Sequence, residues 1–143
     1  MAIWLLTCEI NVAELLFGES AKIKPEHTFY SQADICEYIK NNGSYQFALL
    51  YKCSIIISKK SIDTMAASGI HLLNLHPSYL PHFPRRCTIC RSVYHTNSVG
   101  ITCHHVTTKI DVGKIVFRNN LQNINFWNVT AIADFYDSNF KKV

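Results

Sequence analysis

Apolar and polar positions alternate along this chain in two ways, and each predicts a different element. Short runs that are continuously apolar, or apolar at every second position, predict β-strands. These strands are predicted over 3–7, 28–30, 47–51, 70–75, 100–106 and 115–117. Apolar residues that recur every three or four positions predict helices. These helices are predicted over 9–17, 31–40, 58–68, 88–95 and 127–140.

Strands interleaved with helices of about ten residues are typical of α/β proteins. We therefore predict an α/β fold, a mostly parallel sheet with helices on both faces, in a single domain over 1–143. Ligands in such sheets bind beyond the carboxyl ends of the strands. The chain has no Gly-x-Gly-x-x-Gly after its first strand and no glycine-rich phosphate loop with a lysine. Both absences argue against a dinucleotide dehydrogenase and a nucleotide triphosphatase.

Composition indicates the class of protein but not its function. The 143 residues are 48% hydrophobic and 17% charged, which is typical of a globular domain. The net charge of +4 comes from scattered basic residues, which argues against nucleic acid as a partner and suits a substrate with one or two phosphates. The apolar start has no basic flank, and Glu9 interrupts it, so we expect no membrane partner. With six cysteines and no secretory signal, a cytoplasmic location and free thiols are expected.

Candidate chemistry begins at the end of the predicted strand 70–75. Asn74 and His76 are two positions apart, so an extended chain presents them on one face. Pro77 and Pro81 end the strand, because each lacks a backbone donor. A capping Asn and an exposed loop His are the alternative interpretation. Asp111 lies in a later turn, where an aspartate is usually ordinary turn chemistry.

Two separated motifs change that estimate. The first reads Asn-x-His-Pro-Ser with Leu-Pro soon after, and the second is a Gly-x-Thr-x-His strand followed by Asp-x-Gly-x-Ile. The residues that carry them are Asn74, His76, Pro77, Ser78, Leu80, Pro81, Gly100, Thr102, His104, Asp111, Gly113 and Ile115. Over 47–117 the chain resembles the formyltransferases that use N10-formyltetrahydrofolate. The resemblance implies a Rossmann-like fold, a single formyltransferase-type domain, and N10-formyltetrahydrofolate as the formyl donor.

The resemblance also implies a catalytic site made of Asn74, His76 and Asp111, without a metal. The amide of Asn74 and a protonated His76 would donate to the oxyanion that develops on the formyl oxygen. Asp111 would orient His76 and favour its imidazolium. Asp111 could also accept the proton that the attacking amine loses, directly or through a water.

By the same resemblance, the pterin end of the cofactor should lie against the backbone from Ile55 to Ile57 and against the turn at Thr107 and Thr108. Backbone donors and acceptors of these segments could then bind the edge of the pterin. Taken as isolated residues, Ile55 and Ile57 are ordinary core positions.

The acceptor should approach over Ser78, Tyr79 and the loop that follows, with Arg85 or its neighbour meeting a phosphate. The family usually has a glycine just after Leu-Pro, whereas residues 82–86 read His-Phe-Pro-Arg-Arg. That divergent loop, with the aromatic Tyr79 and Phe83, favours a nucleotide-linked amino sugar over glycinamide ribonucleotide. Methionyl transfer RNA is disfavoured, because the extra carboxy-terminal domain of those family members is not in the sequence.

Three alternatives stay open. The Cys-x-x-Cys at Cys87 and Cys90, with the later cysteine and histidines at 103–105, could form a zinc module. The same two cysteines could instead be a redox pair. The chain could also be a non-catalytic ligand-binding form of the fold. The apolar tail around Phe126, Trp127 and Phe135 is either core or the face of a homodimer.

Overall fold

The computed structural model describes residues 3–6, 27–29, 33, 37, 47–51, 53 and 56–140. Its strands are β1 Ile3–Leu6, β2 His27–Phe29, β3 Phe47–Tyr51, β4 His71–His76, β5 Ser98–His105 and β6 Ile115–Gln122. Its helices are α1 Lys59–Ala67, α2 Thr88–Thr96 and α3 Val129–Phe140. The predicted helix over 9–17 lies outside the described residues. Of the predicted helix over 31–40, Ala33 and Glu37 are described, and both are helical.

The described strands form one sheet in the order β2-β1-β3-β4-β5-β6. β2, β1, β3 and β4 pair in parallel, and β5 and β6 then add antiparallel. The predicted α/β fold with a mostly parallel sheet is therefore confirmed. The prediction for 115–117 was too short, since β6 continues to Gln122. Beyond Phe117 exposed polar residues alternate with half-buried ones, so the strand has no continuous apolar run.

Both faces of the sheet are covered, as the strand alternation in β3 makes clear. Leu49 and Tyr51 belong to one core cluster, and Ala48 and Leu50 belong to the other. The first cluster includes one residue each from α2 and α3, Val93 and Phe135. The second includes Met65 of α1. The predicted placement of helices on both faces is confirmed, and that of a single domain over 1–143 stays a prediction.

Helix α3 also fixes the segment that follows β4. The hydroxyl of Tyr136 lies 2.9 Å from the carbonyl oxygen of Gly100 and 3.2 Å from that of Pro77, and its one hydrogen is shared between them. Burial raises the pKa of Tyr136 far above its usual value, so the hydroxyl keeps the proton that this contact needs. Tyr136 therefore connects the turn after β4 to β5 through hydrogen bonding.

Gly100 allows a close approach that no other residue would permit. A Cβ placed there would lie 2.4 Å from the backbone nitrogen of Tyr79. The contact is with backbone and not with a flexible side chain. The absence of a side chain at position 100 therefore lets the turn after β4 pack directly on β5.

No helix in the described part of the chain is both long enough and apolar enough to span a membrane.

We predict that Gly100→Ala lowers the free energy of unfolding by about 1–3 kcal/mol, the usual cost of overpacking. The clash with Tyr79 requires one of two hydrogen-bonded segments to move. Urea unfolding of the parent and the variant measures the loss. Gly69→Ala is the matched control, since a Cβ there meets nothing within 4 Å and the only penalty comes from its φ of +73°. Equal losses for both variants would contradict the proposed close packing.

Candidate active site

The antiparallel pairing of β4 with β5 brings the two sequence motifs together. Asn74 pairs with His104, and His76 pairs with Thr102. Asn74 and His76 share a face of β4 because strand side chains alternate. Their partners share the same face of β5 for the same reason. Residues 26 to 30 positions apart in the chain thus become direct neighbours.

His104 orients the amide of Asn74. Its Nδ1 lies 2.9 Å from the carbonyl oxygen of His105, which can only accept a hydrogen bond, so Nδ1 carries the proton. In the neutral ring Nε2 is then an acceptor, and the Nδ2 of Asn74 donates to it over 3.2 Å. An amide nitrogen has two hydrogens. One is therefore held by His104, and the other remains for a ligand in the cavity that Asn74 lines.

His104 belongs to the second motif, but the sequence alone assigns it no role. The available signal was its spacing, because Gly100, Thr102 and His104 alternate along one strand and must share a face. What was missing was the register with β4, which decides that His104 faces Asn74.

Asp111 contacts both histidines. Its Oδ1 lies 3.5 Å from Nδ1 of His76 and 3.7 Å from Nε2 of His104. Its Oδ2 accepts a hydrogen bond of 2.7 Å from the backbone nitrogen of Arg85. The side chain is only 7% exposed. The amide of Arg85 replaces part of its hydration, whereas Nε2 of His104, an acceptor in the tautomer described above, lies beside the carboxylate without donating to it. The structure thus brings together Asn74, His76 and Asp111, the three residues predicted from the sequence.

The turn that carries Asp111 has little freedom. Asp111 has a φ of +57°, in the left-handed region. A Cβ at Gly113 would lie 1.7 Å from the carbonyl oxygen of His105, so only glycine fits there. The backbone of His105 also donates to the carbonyl oxygen of Lys114 over 2.9 Å. The tight turn therefore sets the position of the carboxylate.

His76 differs from the expectation in its charge. Burial lowers its pKa from the usual 6.5, and this effect outweighs the carboxylate of Asp111 and the carbonyl of Phe83, which both raise it. His104 lowers it further. The carboxylate of Asp111 raises the pKa of His76 as expected, but by less than burial lowers it. His76 is therefore neutral at pH 7 and not an imidazolium. Both neighbours of the ring are acceptors, at 3.5 Å and 3.3 Å, and a neutral ring can donate to only one of them.

Two residues predicted to contact the acceptor instead make contacts within the fold. Ser78 is fully buried, and its hydroxyl donates to the carbonyl oxygen of His82 over 2.9 Å. The ring of Tyr79 lies under the guanidinium of Arg118, 4.4 Å from its centroid. The residues that line the cavity include neither of them, whereas Arg85 does line it. Ser78 and Tyr79 shape the turn that leads to the site.

A cavity of about 720 Å³ opens beside the three site residues. Of the residues predicted to hold the pterin, Ile57, Thr107 and Thr108 line it. Ile55 lies outside the described residues. Ile56 also lines the cavity, and it is 71% exposed. Exposed apolar side chains at a concave site are typical of a surface that a ligand covers.

The zinc alternative finds no support in the part of the chain that the structure describes. Cys87 and Cys90 are exposed at the start of α2, whereas Cys103 is buried in β5. Among residues 3–6, 27–29, 33, 37, 47–51, 53 and 56–140, no group of three or more His, Cys, Asp or Glu side chains could hold a metal ion.

The lowered pKa of His76 predicts that stability falls in acid. The unfolded chain binds a proton near pH 6.5 that the folded chain resists, so the free energy of unfolding decreases as the pH falls through 6.5 towards the folded pKa. His105, whose pKa is lowered first by burial, adds to the same slope. Urea unfolding at about pH 8 and about pH 5.5 measures it. His76→Gln should flatten the dependence, and the exposed His82→Gln should not. A slope unchanged in His76→Gln would contradict this interpretation.

Comparison with known protein families and structures identifies the family of the chain. The model of the formyl transferase family matches residues 21–133, which is more than half of the chain. No curated protein sequence matches it.

Solved structures share the fold at low sequence identity. Phosphoribosylglycinamide formyltransferase from Streptococcus pneumoniae has a TM-score of 0.72 at 14% identity, covering 99% of this chain and 93% of that one. Glycinamide ribonucleotide transformylase 1 from Symbiobacterium toebii has a TM-score of 0.74 at 16% identity, covering 100% and 83%. A Mycobacterium tuberculosis protein named as a candidate sugar N-formyltransferase has a TM-score of 0.67 at 16% identity, covering 99% and 63%. From the family match, the chain belongs to the formyl transferase family, whose enzymes transfer formyl groups.

Proposed function

We propose that this protein transfers a formyl group from N10-formyltetrahydrofolate to a primary amine. The observation that carries the proposal is the convergence of Asn74, His76 and Asp111 on one cavity. A carboxylate, an imidazole and an amide donor are the groups that acyl transfer to an amine requires.

The reaction can be written with these residues. The neutral amine attacks the formyl carbon, a carbon–nitrogen bond forms, and negative charge develops on the formyl oxygen. The hydrogen of Asn74 that His104 does not hold donates to that oxygen. Asp111 accepts the proton that the new ammonium loses, directly or through a water. The bond from the formyl carbon to N10 then breaks, the nitrogen takes a proton, and tetrahydrofolate leaves.

His76 can respond to the developing charge although it is neutral at rest. Its two nitrogens face Asp111 and the carbonyl oxygen of Phe83, which are both acceptors. An oxyanion nearby adds a second negative charge beside that of Asp111 and raises the affinity of the ring for a second proton. The site is then more favourable to the transition state than to the bound substrate, which is the condition for acceleration.

Part of the cavity lining suits the pterin of the cofactor. Ile57, Thr107 and Thr108 belong to that lining, together with the exposed Ile56. The hydroxyl of Thr107 is engaged in its own turn, since it donates to the carbonyl oxygen of Lys109 over 2.9 Å. Contacts from this turn to a pterin would therefore come from the backbone.

For the acceptor we propose a nucleotide-linked amino sugar, with glycinamide ribonucleotide as the second candidate. Arg85, Arg86 and Lys109 line the cavity, and three cations favour an acceptor that carries phosphate. Both candidates carry phosphate. The names of two of the compared structures favour glycinamide ribonucleotide. Arg85, however, lies in a loop that lacks the usual glycine of the family, and this favours an acceptor site different from the usual one.

Two further parts of the proposal concern the environment of the enzyme. Phe126 and Trp127 are 51% and 92% exposed, and these apolar side chains support a homodimer face. Phe135, by contrast, is part of the core. Cys87, Cys90 and Cys103 are free thiols, and these support a reducing, cytoplasmic location.

We predict that Asn74→Ala and Asp111→Asn each lower kcat by roughly 10²–10³-fold, the usual cost of removing one preorganised group. The rate is measured as release of tetrahydrofolate from N10-formyltetrahydrofolate with an amine acceptor. Asn120→Ala and Asp63→Asn are the matched controls, because both positions are exposed and lie outside the cavity lining. Parental rates in both site variants would refute the catalytic roles, and a parent inactive on every amine would favour the ligand-binding alternative.

Arg85 should distinguish acceptors by charge. We predict that Arg85→Gly raises KM for a phosphorylated acceptor about tenfold, since a charge-assisted hydrogen bond contributes roughly 1.5–3 kcal/mol. Glycine keeps the φ of +73° that position 85 needs, so the hydrogen bond to Asp111 is preserved. The measurement is a screen of amino-sugar nucleotides, glycinamide ribonucleotide and uncharged amines. A KM raised equally for uncharged amines would contradict a phosphate contact.

A further inference from the structure

The formyl-transfer site leaves one sequence motif unused, the Cys-x-x-Cys at the start of α2. We propose that Cys87 and Cys90 form a reversible disulfide, and that closing it withdraws the Arg85 hydrogen bond from Asp111. The site of oxidation is distinct from the residues proposed for catalysis, but one loop connects the two.

The two thiols lie three positions apart across the start of α2. Cys87 immediately precedes the helix, and Cys90 is its third residue. A residue before a helix faces the third helical residue when its backbone is extended, as in the capping box. Cys87 instead has a φ of 55° and a ψ of 32°, in the left-handed region, and its side chain makes no capping hydrogen bond. It must therefore leave this conformation to meet Cys90. Both thiols are free and exposed, so an oxidant in solution can reach them.

Packing of α2 holds Cys90 in place. Thr88, Ser92 and Val93 are buried against the sheet. The hydroxyl of Ser92 donates to the carbonyl oxygen of Ser98 over 2.7 Å. Cys90 therefore cannot move far without unpacking the helix, and any adjustment falls on Cys87 and the loop before it.

That loop contacts the active site at two points. The carbonyl oxygen of Phe83 lies 3.3 Å from Nε2 of His76, and the backbone nitrogen of Arg85 donates to Oδ2 of Asp111 over 2.7 Å. Phe83, Arg85 and Cys87 all have left-handed φ angles, of 52°, 73° and 55°. Three such residues at alternate positions give the loop a narrowly defined path, so displacing one end displaces the rest.

The geometry of a disulfide requires such a displacement. The bond needs about 3.5–4.5 Å between the two Cβ atoms. Because α2 is held by its buried side chains, the approach is made by rotating Cys87 out of its left-handed conformation. Arg85 is two residues away, and its hydrogen bond of 2.7 Å to Asp111 is weakened or lost when the donor shifts by about 1 Å.

The chemistry balances with oxidised glutathione as the oxidant. One protein thiolate attacks the glutathione disulfide, which gives a mixed disulfide and releases one glutathione thiol. The second protein thiolate attacks the mixed disulfide and releases the other glutathione. The two protein thiols are oxidised, one glutathione disulfide is reduced to two thiols, and dithiothreitol reverses the reaction.

The test compares the full chain reduced with dithiothreitol and treated with excess oxidised glutathione. Peptide mapping by mass spectrometry should find a Cys87–Cys90 link in the oxidised sample. Hydrogen exchange at the amide of Arg85 should become about tenfold faster or more, which reports loss of its bond to Asp111. Formyl transfer should fall in parallel, and dithiothreitol should restore both. Only this last measurement rests on the proposed function.

Cys87→Ser and Cys90→Ser should keep the reduced-state values of exchange and activity and lose the response to oxidant. Cys53→Ser is the control for other thiols and should keep the oxidant-dependent change in exchange at Arg85. Activity is not its readout, because Cys53 lines the cavity. Failure to find the Cys87–Cys90 link, or a link that leaves the exchange of Arg85 unchanged, would overturn the proposal. If exchange responds but the reduced protein transfers no formyl group to any amine, the redox site stands and the proposed function fails.

Discussion

The register between β4 and β5 is the constraint on which the rest of the site depends. It sets Asn74 opposite His104 and His76 opposite Thr102. The Oγ1 of Thr102 then donates to the carbonyl oxygen of Ser78 and accepts from the backbone nitrogen of Leu80, at 2.7 Å and 3.0 Å. A slip of one residue would turn every one of these side chains to the opposite face. The Gly-x-Thr-x-His strand of the second motif therefore supports the first motif.

Burial and charge oppose each other at the centre of the site. Burial lowers the pKa of His76, and this effect outweighs the carboxylate of Asp111, which raises it. The result is a neutral imidazole beside a carboxylate, with acceptors at both ring nitrogens. Such a ring is poorly satisfied at rest. Its hydrogen bonding improves when a reaction places further negative charge nearby, and this links the geometry to the proposed chemistry.

The fold class can be predicted from strand alternation and turn residues, which are local properties. The three converging residues can be predicted only from the resemblance of two separated motifs to the formyltransferases. Properties that depend on distant segments cannot be predicted in either way. The protonation state of His76 depends on its burial by the whole fold. The engagement of Ser78 depends on where the carbonyl of His82 lies. The missing loop glycine is explained only by the structure, in which Arg85 itself takes the left-handed conformation that glycine would adopt easily.

The position of the site along the chain has a consequence for divergence. Asn74, His76, His104 and Asp111 all belong to one continuous segment that folds as the antiparallel edge of the sheet. Most of the cavity lining comes from the same segment, including Arg85 and Arg86, which are proposed to meet the acceptor. Leu50, Cys53, Ile56 and Ile57 come from the chain before it. Substitutions that change acceptor recognition therefore fall beside the reacting groups, and they must preserve the register of β4 with β5.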